Sequence, residues 1–220
     1  MTGAIDTDTH DRWYSAPHPV TGKPQIAPHA STIERLRDRM PTDWNIAWLV
    51  ALGITLLAFV LRVIQVARPE YMTFDEIYYA KDAYALLQSG YERAWAEGSD
   101  AAAMAGDFSG LSEDGSFIAH PPLGKWLIAL GIHIFGFNSF GFRLPSVVFG
   151  SLVILVVIMR TRRLARSTMI GALAGILLTF DGLHFVMSRT ALLDIFQTFF
   201  IVAAVATVVV DRDCFRNKLA

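Results

Sequence analysis

The sequence predicts an all-α, polytopic membrane protein with about four spans and external juxtamembrane helices. Three observations predict it. The 220 residues are 53% hydrophobic, with a mean hydropathy of +0.40. The apolar residues gather into runs close to the roughly 20 residues that a bilayer-crossing helix needs. Lys and Arg concentrate between alternate runs, as membrane topology requires. A soluble domain can be equally apolar, so distribution decides here, not composition. The net charge of −1 argues against a nucleic-acid surface. The single cysteine, Cys214, excludes an intramolecular disulfide framework and a cysteine-rich metal site.

Residues 1–43 are polar, contain five prolines, and carry no early apolar stretch that resembles a cleaved signal peptide. They read as a cytoplasmic, largely disordered arm, with one short charged helix over 33–40 opened by the capping-box pair Ser31 and Glu34. Residues 44–210 form the membrane domain. The first span, 44–67, begins with Trp44 and Trp48 at belt height and ends with Arg62, which is expected to snorkel toward the head groups. Further spans are expected over 144–159, 169–186 and 190–210. The stretch 126–142 is uncharged but holds glycines, His133 and Asn138, and reads as a helix lying on or dipping into the membrane surface.

Counting basic residues orients the chain. With four spans, segments 1–43, 160–168 and 211–220 share one side and hold five, four and three Lys/Arg, as expected of the cytoplasm. The opposite side receives the long loop 69–143, in which residues 69–120 carry ten acids against Lys81 and Arg93. Counting 126–142 as a span would reverse this pattern. Within the loop, 95–116 is rich in Gly, Ala, Ser and acids and is expected to be unstructured.

The chemistry lies on the loop's flanks. Thr73-Phe74-Asp75-Glu76 opens a helix that runs through Leu87 and stops near Gly90. Thr73 and Glu76 have capping-box spacing, with Met72 and Ile77 as a hydrophobic staple. The bland reading is two acids that start a helix. The functional one is a carboxylate at the outer interface, where a lipid-linked donor holds its phosphate, acting as general base. His120-Pro121-Pro122-Leu123-Gly124-Lys125 is either a rigid start to a surface helix or a pair of polar donors beside the same interface. Arg143 either anchors a helix end or makes charge-assisted hydrogen bonds to a phosphate. Asp181, Arg189 and Asp194 surround the outer turn before the last span; Arg189 and Asp194 can satisfy one another or join the site.

Together these motifs resemble the amino-terminal part of a bacterial-type protein O-mannosyltransferase. The matching elements are residues 73–76, 120–125, Arg143-Leu144-Pro145-Ser146, and Ser188-Arg189-Thr190-Ala191-Leu192-Leu193-Asp194. The resemblance covers roughly 44–211. It implies the C-type glycosyltransferase fold, a polyprenyl- or dolichyl-phosphate mannose donor, and Ser/Thr hydroxyls of exported proteins as acceptors, with inversion at the sugar carbon. Membrane lipids and the protein-export machinery are the surroundings it implies. By the same resemblance Asp75 is the base and Arg143 a donor-phosphate contact. Glu76 organises the site or helps bind acceptor, and His120, Lys125, Arg189 and Asp194 serve substrate binding. The eukaryotic pattern has tryptophan before the acid pair and histidine shortly after; here Phe74, Tyr78 and Tyr79 occupy that neighbourhood. Family members continue through further spans and a carboxy-terminal region. A fragment is therefore expected, without a complete donor pocket, and 211–220 is its cytoplasmic end.

Two other readings stand beside this one. A related transferase acting on a lipid or glycan would share the same face of acids. A transporter or scaffold would place ionisable groups near the bilayer middle and show an internal repeat. No spacing specifies a metal site, and no cofactor follows from the sequence; a divalent cation is compatible with His120 and the nearby acids.

Overall fold

The computed structural model describes residues 43–219, with side chains through Asp211. The expectations for the arm, the 33–40 helix and the 211–220 end lie outside these residues or their described side chains. Helix α1 spans Trp44–Val63 and α2 Glu76–Ser89. An antiparallel pair follows, β1 (Arg93–Trp95) and β2 (Leu111–Gly115), with the short helix α3 (Asp100–Met104) between them. Then come α4 (Leu123–Phe135), α5 (Ser139–Ala165), α6 (Thr168–Phe180), α7 (Gly182–Met187) and α8 (Leu193–Leu219).

Among the described residues, three helices are long and apolar enough to cross a membrane: Trp44–Val63, Ser139–Ala165 and, within α8, Leu193–Asp211. Helix α5 is central. Half of its apolar window is buried, against 22% for α1 and 17% for α8, whose remaining faces are apolar and exposed. An apolar exterior suits hydrocarbon, where close packing rather than water exclusion holds helices together. The run 169–186 is not one helix. It breaks at Asp181, whose carboxylate accepts the His184 amide at 2.8 Å and so caps α7.

Helix α2 follows its sequence closely. It stops at Gly90, whose φ of +77° costs little without a Cβ. Half of the predicted capping box forms: the Thr73 amide and hydroxyl donate to Glu76 Oε2 at 2.9 and 2.8 Å. Met72 is buried in the same apolar cluster that Ile77 packs against.

Three further expectations are corrected. Residues 95–116 are ordered, because Tyr84 stacks on Phe108 at 4.1 Å, with Trp95 and Phe137 completing the ring cluster. The Lys81–Asp100 ion pair, at 2.6 Å, ties α3 to α2. The stretch 126–142 is divided: α4 ends at Phe135, and Ser139 begins α5 behind an Asn138 cap that accepts the Gly141 amide. At 1.5 Å per residue, the 13 residues of α4 reach only about 20 Å. Arg62 does not snorkel. It is fully buried and donates to the Ser188 hydroxyl and the Ala58 and Thr179 carbonyls, with His184 Nδ1 3.0 Å away.

The chain direction sorts the two ends of the bundle. Asp43, before α1, bonds Arg162 near the end of α5 at 2.7 Å and also Thr168 at the start of α6. The opposite end carries the α2 start, the α5 start and the turn before α8, and there the candidate site is built.

Candidate active site

Glu76 is the hub of that end. It is fully buried, and Arg143 beside it is 1% exposed. Arg143 Nε donates to Glu76 Oε1 and Nη2 to Oε2, both at 2.7 Å, a bidentate charge-assisted pair. The other Arg143 donors reach the carbonyls of Val66, Pro69 and Tyr71 at 2.9–3.0 Å. All five guanidinium N–H groups are thereby used. Glu76 Oε1 also accepts the Ala191 amide at 2.8 Å. One carboxylate thus joins the segment after α1, the start of α2, the start of α5 and the turn before α8.

In this geometry the Arg143 donors and both Glu76 oxygens are engaged by groups of the chain itself. Lys125 is likewise consumed. It is 1% exposed and pairs with Asp82 at 2.9 Å and Glu92 at 2.7 Å. Burial alone would lower its pKa, but the bonds to Glu92 and Asp82 outweigh that and raise it above the ordinary ammonium value. Burial pushes Asp82 up and outweighs the Lys125 contact, with a smaller push from the neighbouring Glu92 charge. Lys125 fastens α4 to α2.

Asp75 differs from its neighbour. It occupies the cap position of α2 yet makes no side-chain cap bond, and it is partly exposed. Among the described residues its carboxylate has no hydrogen-bond partner. The left-handed backbone at Phe74, φ +55°, turns the chain just before it, a conformation an aromatic residue seldom adopts. Tyr79, one turn along α2, meets the His120 ring edge-on at 5.8 Å. Burial raises the Tyr79 phenol, and the negative charges of Asp75 and Asp194 push it further. Tyr79 therefore stays protonated, a hydrogen-bond donor among acceptors.

His120 and Asp194 are both exposed at this mouth. Beside them opens a cavity of about 440 Å³ between α4 and α8, lined by His120, Pro121, Leu123, Leu193, Phe196 and Gln197 among others. Arg189 is partly exposed. Its Nη2 donates to the Ile64 carbonyl at 2.9 Å, and its guanidinium lies 5.2 Å from the Phe185 ring. Among the described residues no ion pair joins Arg189 to Asp194, so the mutual neutralisation read from their spacing is absent. Nor do three His, Cys, Asp or Glu side chains lie close enough to hold a metal ion together, again among the described residues.

Sequence reasoning noted Tyr79 only as an occupant of the neighbourhood after the acid pair, one helical turn from Asp75, and missed Gln197, which only its place one turn after Leu193 marks.

Residues 119–211 match the family described as dolichyl-phosphate-mannose-protein mannosyltransferase. A polyprenol-phosphate-mannose–protein mannosyltransferase of Mycolicibacterium smegmatis is 36% identical over 98% of this chain and 37% of its own length. Its namesake in Mycobacterium tuberculosis is 38% identical over 81% of the chain and 32% of its own. The chain belongs to the protein mannosyltransferase family. A third member of that name, from Corynebacterium glutamicum, is 36% identical over 66% of the chain and 26% of its own length. The chain therefore spans about a third of the length of the curated relatives it matches. No solved structure matches it.

Proposed function

We propose that this chain is part of a membrane glycosyltransferase that moves mannose from a polyprenyl-phosphate carrier to Ser or Thr hydroxyls of exported proteins, with Asp75 as general base. The observation that carries the reading is the contrast between adjacent acids. Glu76 is fully engaged by Arg143, Thr73 and Ala191, whereas Asp75 has a partly exposed carboxylate with no hydrogen-bond partner among the described residues. A base needs a free lone pair within reach of the proton it takes.

In the reaction, the Asp75 carboxylate accepts the acceptor hydroxyl proton as that oxygen attacks the sugar carbon. The bond from that carbon to the lipid phosphate breaks on the opposite face, and the configuration inverts. Negative charge grows on the departing phosphate. With Arg143 and Lys125 consumed, Arg189 is the cation assigned to it. Tyr79, His120 and Asp194 frame the acceptor side. The apolar cavity beside His120 suits the first isoprene units of the carrier.

The basic segments favour a cytoplasmic location for 1–43 and 160–168, with the site on the extracytoplasmic face of the cell membrane. Exported chains and membrane lipids meet there, and the export machinery is the source of such chains. Labelling single cysteines at Ser109 and Ser167, in a variant lacking Cys214, tests this orientation; outside access to position 167 would reverse it.

The chemical test uses the full-length protein, synthetic lipid-phosphate mannose and a Ser/Thr peptide. Asp75→Asn is expected to lower transfer by about 10²–10⁴-fold, with insertion and abundance unchanged. Ordinary transfer by that variant would remove Asp75 from the base role.

A further inference from the structure

At the Asp75 end of the bundle, two cavities share Glu70 and Met104 as walls. One, of about 350 Å³, is bounded further by Tyr71, Met72, Ile77 and Asp100. The other, of about 280 Å³, is bounded by Ala67, Ser139 and Phe140. We propose that this groove takes a lysine or arginine side chain of the acceptor polypeptide, about four positions from the Ser or Thr that receives the sugar. The proposal rests on the functional reading above and adds a preference among acceptors to it.

Four observations carry it. Glu70 is an exposed carboxylate that, among the described residues, forms no ion pair or hydrogen bond. Ser139 is 3% exposed, yet its hydroxyl has no hydrogen-bond partner among the described residues. Standing first in α5, it has no preceding helical turn to bond, so an N–H entering the groove meets an unbonded oxygen at its wall. The charge is one-sided. Residues 69–120 carry ten acids against Lys81 and Arg93. Both bases are engaged, Lys81 by Asp100 and Arg93 by the Ser89 hydroxyl and the Ser112 carbonyl. The walls choose among cations. Met72, Ile77 and Met104 offer nothing to a hydrated metal ion but pack along the methylene stem of a basic side chain, whose head then reaches Glu70. A phospholipid ammonium arrives with a phosphate, and no basic residue lines either cavity to receive it. Reach sets the spacing. Tyr71, Met72 and Ile77 lie within four residues of Asp75, so chain length alone keeps them within about 14 Å of it. An extended peptide crosses that span in about four residues.

The test is mannose transfer by the full-length protein in phosphatidylcholine vesicles, from synthetic lipid-phosphate mannose to single-threonine peptides. Lysine is walked from two to eight residues on either side of the threonine, and norleucine at each position keeps the stem without the charge. The best lysine peptide is expected to show a KM about fivefold below its norleucine counterpart, the upper range for one exposed ion pair, with kcat unchanged. Glu70→Gln should erase that difference and leave the norleucine KM as it was; Ser139→Ala should narrow it. Equal KM values for lysine and norleucine at every position overturn the proposal, as does a lysine advantage that survives Glu70→Gln. An advantage that disappears when phosphatidylethanolamine replaces phosphatidylcholine gives the groove to lipid ammonium groups and overturns it too. Should Ser139→Ala fail to fold, the wild-type peptide comparison and Glu70→Gln, at an exposed position, decide without it. No transfer to any peptide would sink the functional reading and this proposal with it, whereas transfer to all peptides alike sinks the groove alone.

Discussion

Replacing Glu76 by glutamine removes one charge and keeps the side chain's shape. Glu76 Oε1 accepts Arg143 Nε and the Ala191 amide; Oε2 accepts Arg143 Nη2 and the Thr73 amide and hydroxyl. A glutamine oxygen at the first position preserves two of these bonds. Its NH₂ at the second then faces two N–H donors and loses both. More costly, the Arg143 guanidinium stays buried without a counter-charge, which typically costs about 3–5 kcal/mol. The assay is equilibrium unfolding of the full-length protein in mixed detergent, beside transfer activity. Asp75→Asn serves as control and should stay within about 0.5 kcal/mol of wild type, because Asp75 is partly exposed and unbonded. Adding Arg143→Met to Glu76→Gln should cost at least about 1 kcal/mol less than the two single changes summed, since the stranded charge is gone. It will not be neutral, because the Val66, Pro69 and Tyr71 carbonyls lose their donor. If Glu76→Gln unfolds like wild type yet loses transfer, Glu76 acts on substrate and the structural assignment fails.

Other outcomes follow from the same geometry. Lys125→Met strands Asp82 and Glu92 and should destabilise by about 3–5 kcal/mol. Because the folded Lys125 pKa is raised, its stabilisation is fully present below pH 10.5 and is lost as pH rises through the folded value; the gap between wild-type and Lys125→Met unfolding should narrow as the pH rises through that alkaline range. At Gly150, an added Cβ would lie 2.3 Å from Ser188 Cβ, so Gly150→Val should shift the turn that delivers Ala191 to Glu76. Lower unfolding stability and lower transfer together would bear that out. Arg189→Ala should raise the KM for the lipid donor more than it lowers kcat at saturating donor; an unchanged donor dependence would take Arg189 out of phosphate binding.

Legibility varied along the chain for physical reasons. The α2 start and its Gly90 stop were readable because capping and left-handed glycine are local effects. The break in the run 169–186 was readable only in part: Asp181 stood out as a costly acid, but its use as a cap depends on where the next helix goes. The 95–116 segment misled because composition registers Gly, Ala and acids, not the distant rings of Tyr84 and Phe137 that order it. Arg62 misled in the same way. Snorkelling is the default for an isolated helix, and the buried acceptors that draw it inward come from residues more than a hundred positions away.

From the sequence by itself came the membrane class, the apolar helices, the charge asymmetry and the set of polar residues gathered at one end. These depend on short-range pattern and on the cost of charge in hydrocarbon, which act on each segment separately. Only the tertiary structure showed which members of that set are engaged by partners within the fold. Asp75 and Glu76 are neighbours with similar chemistry, and Arg143, Lys125 and Arg189 all read as candidates for binding donor phosphate or substrate. Which of them keeps a free lone pair or a free N–H depends on the partners that folding brings within 3 Å, and hydrogen-bond saturation is a property of the assembled site alone.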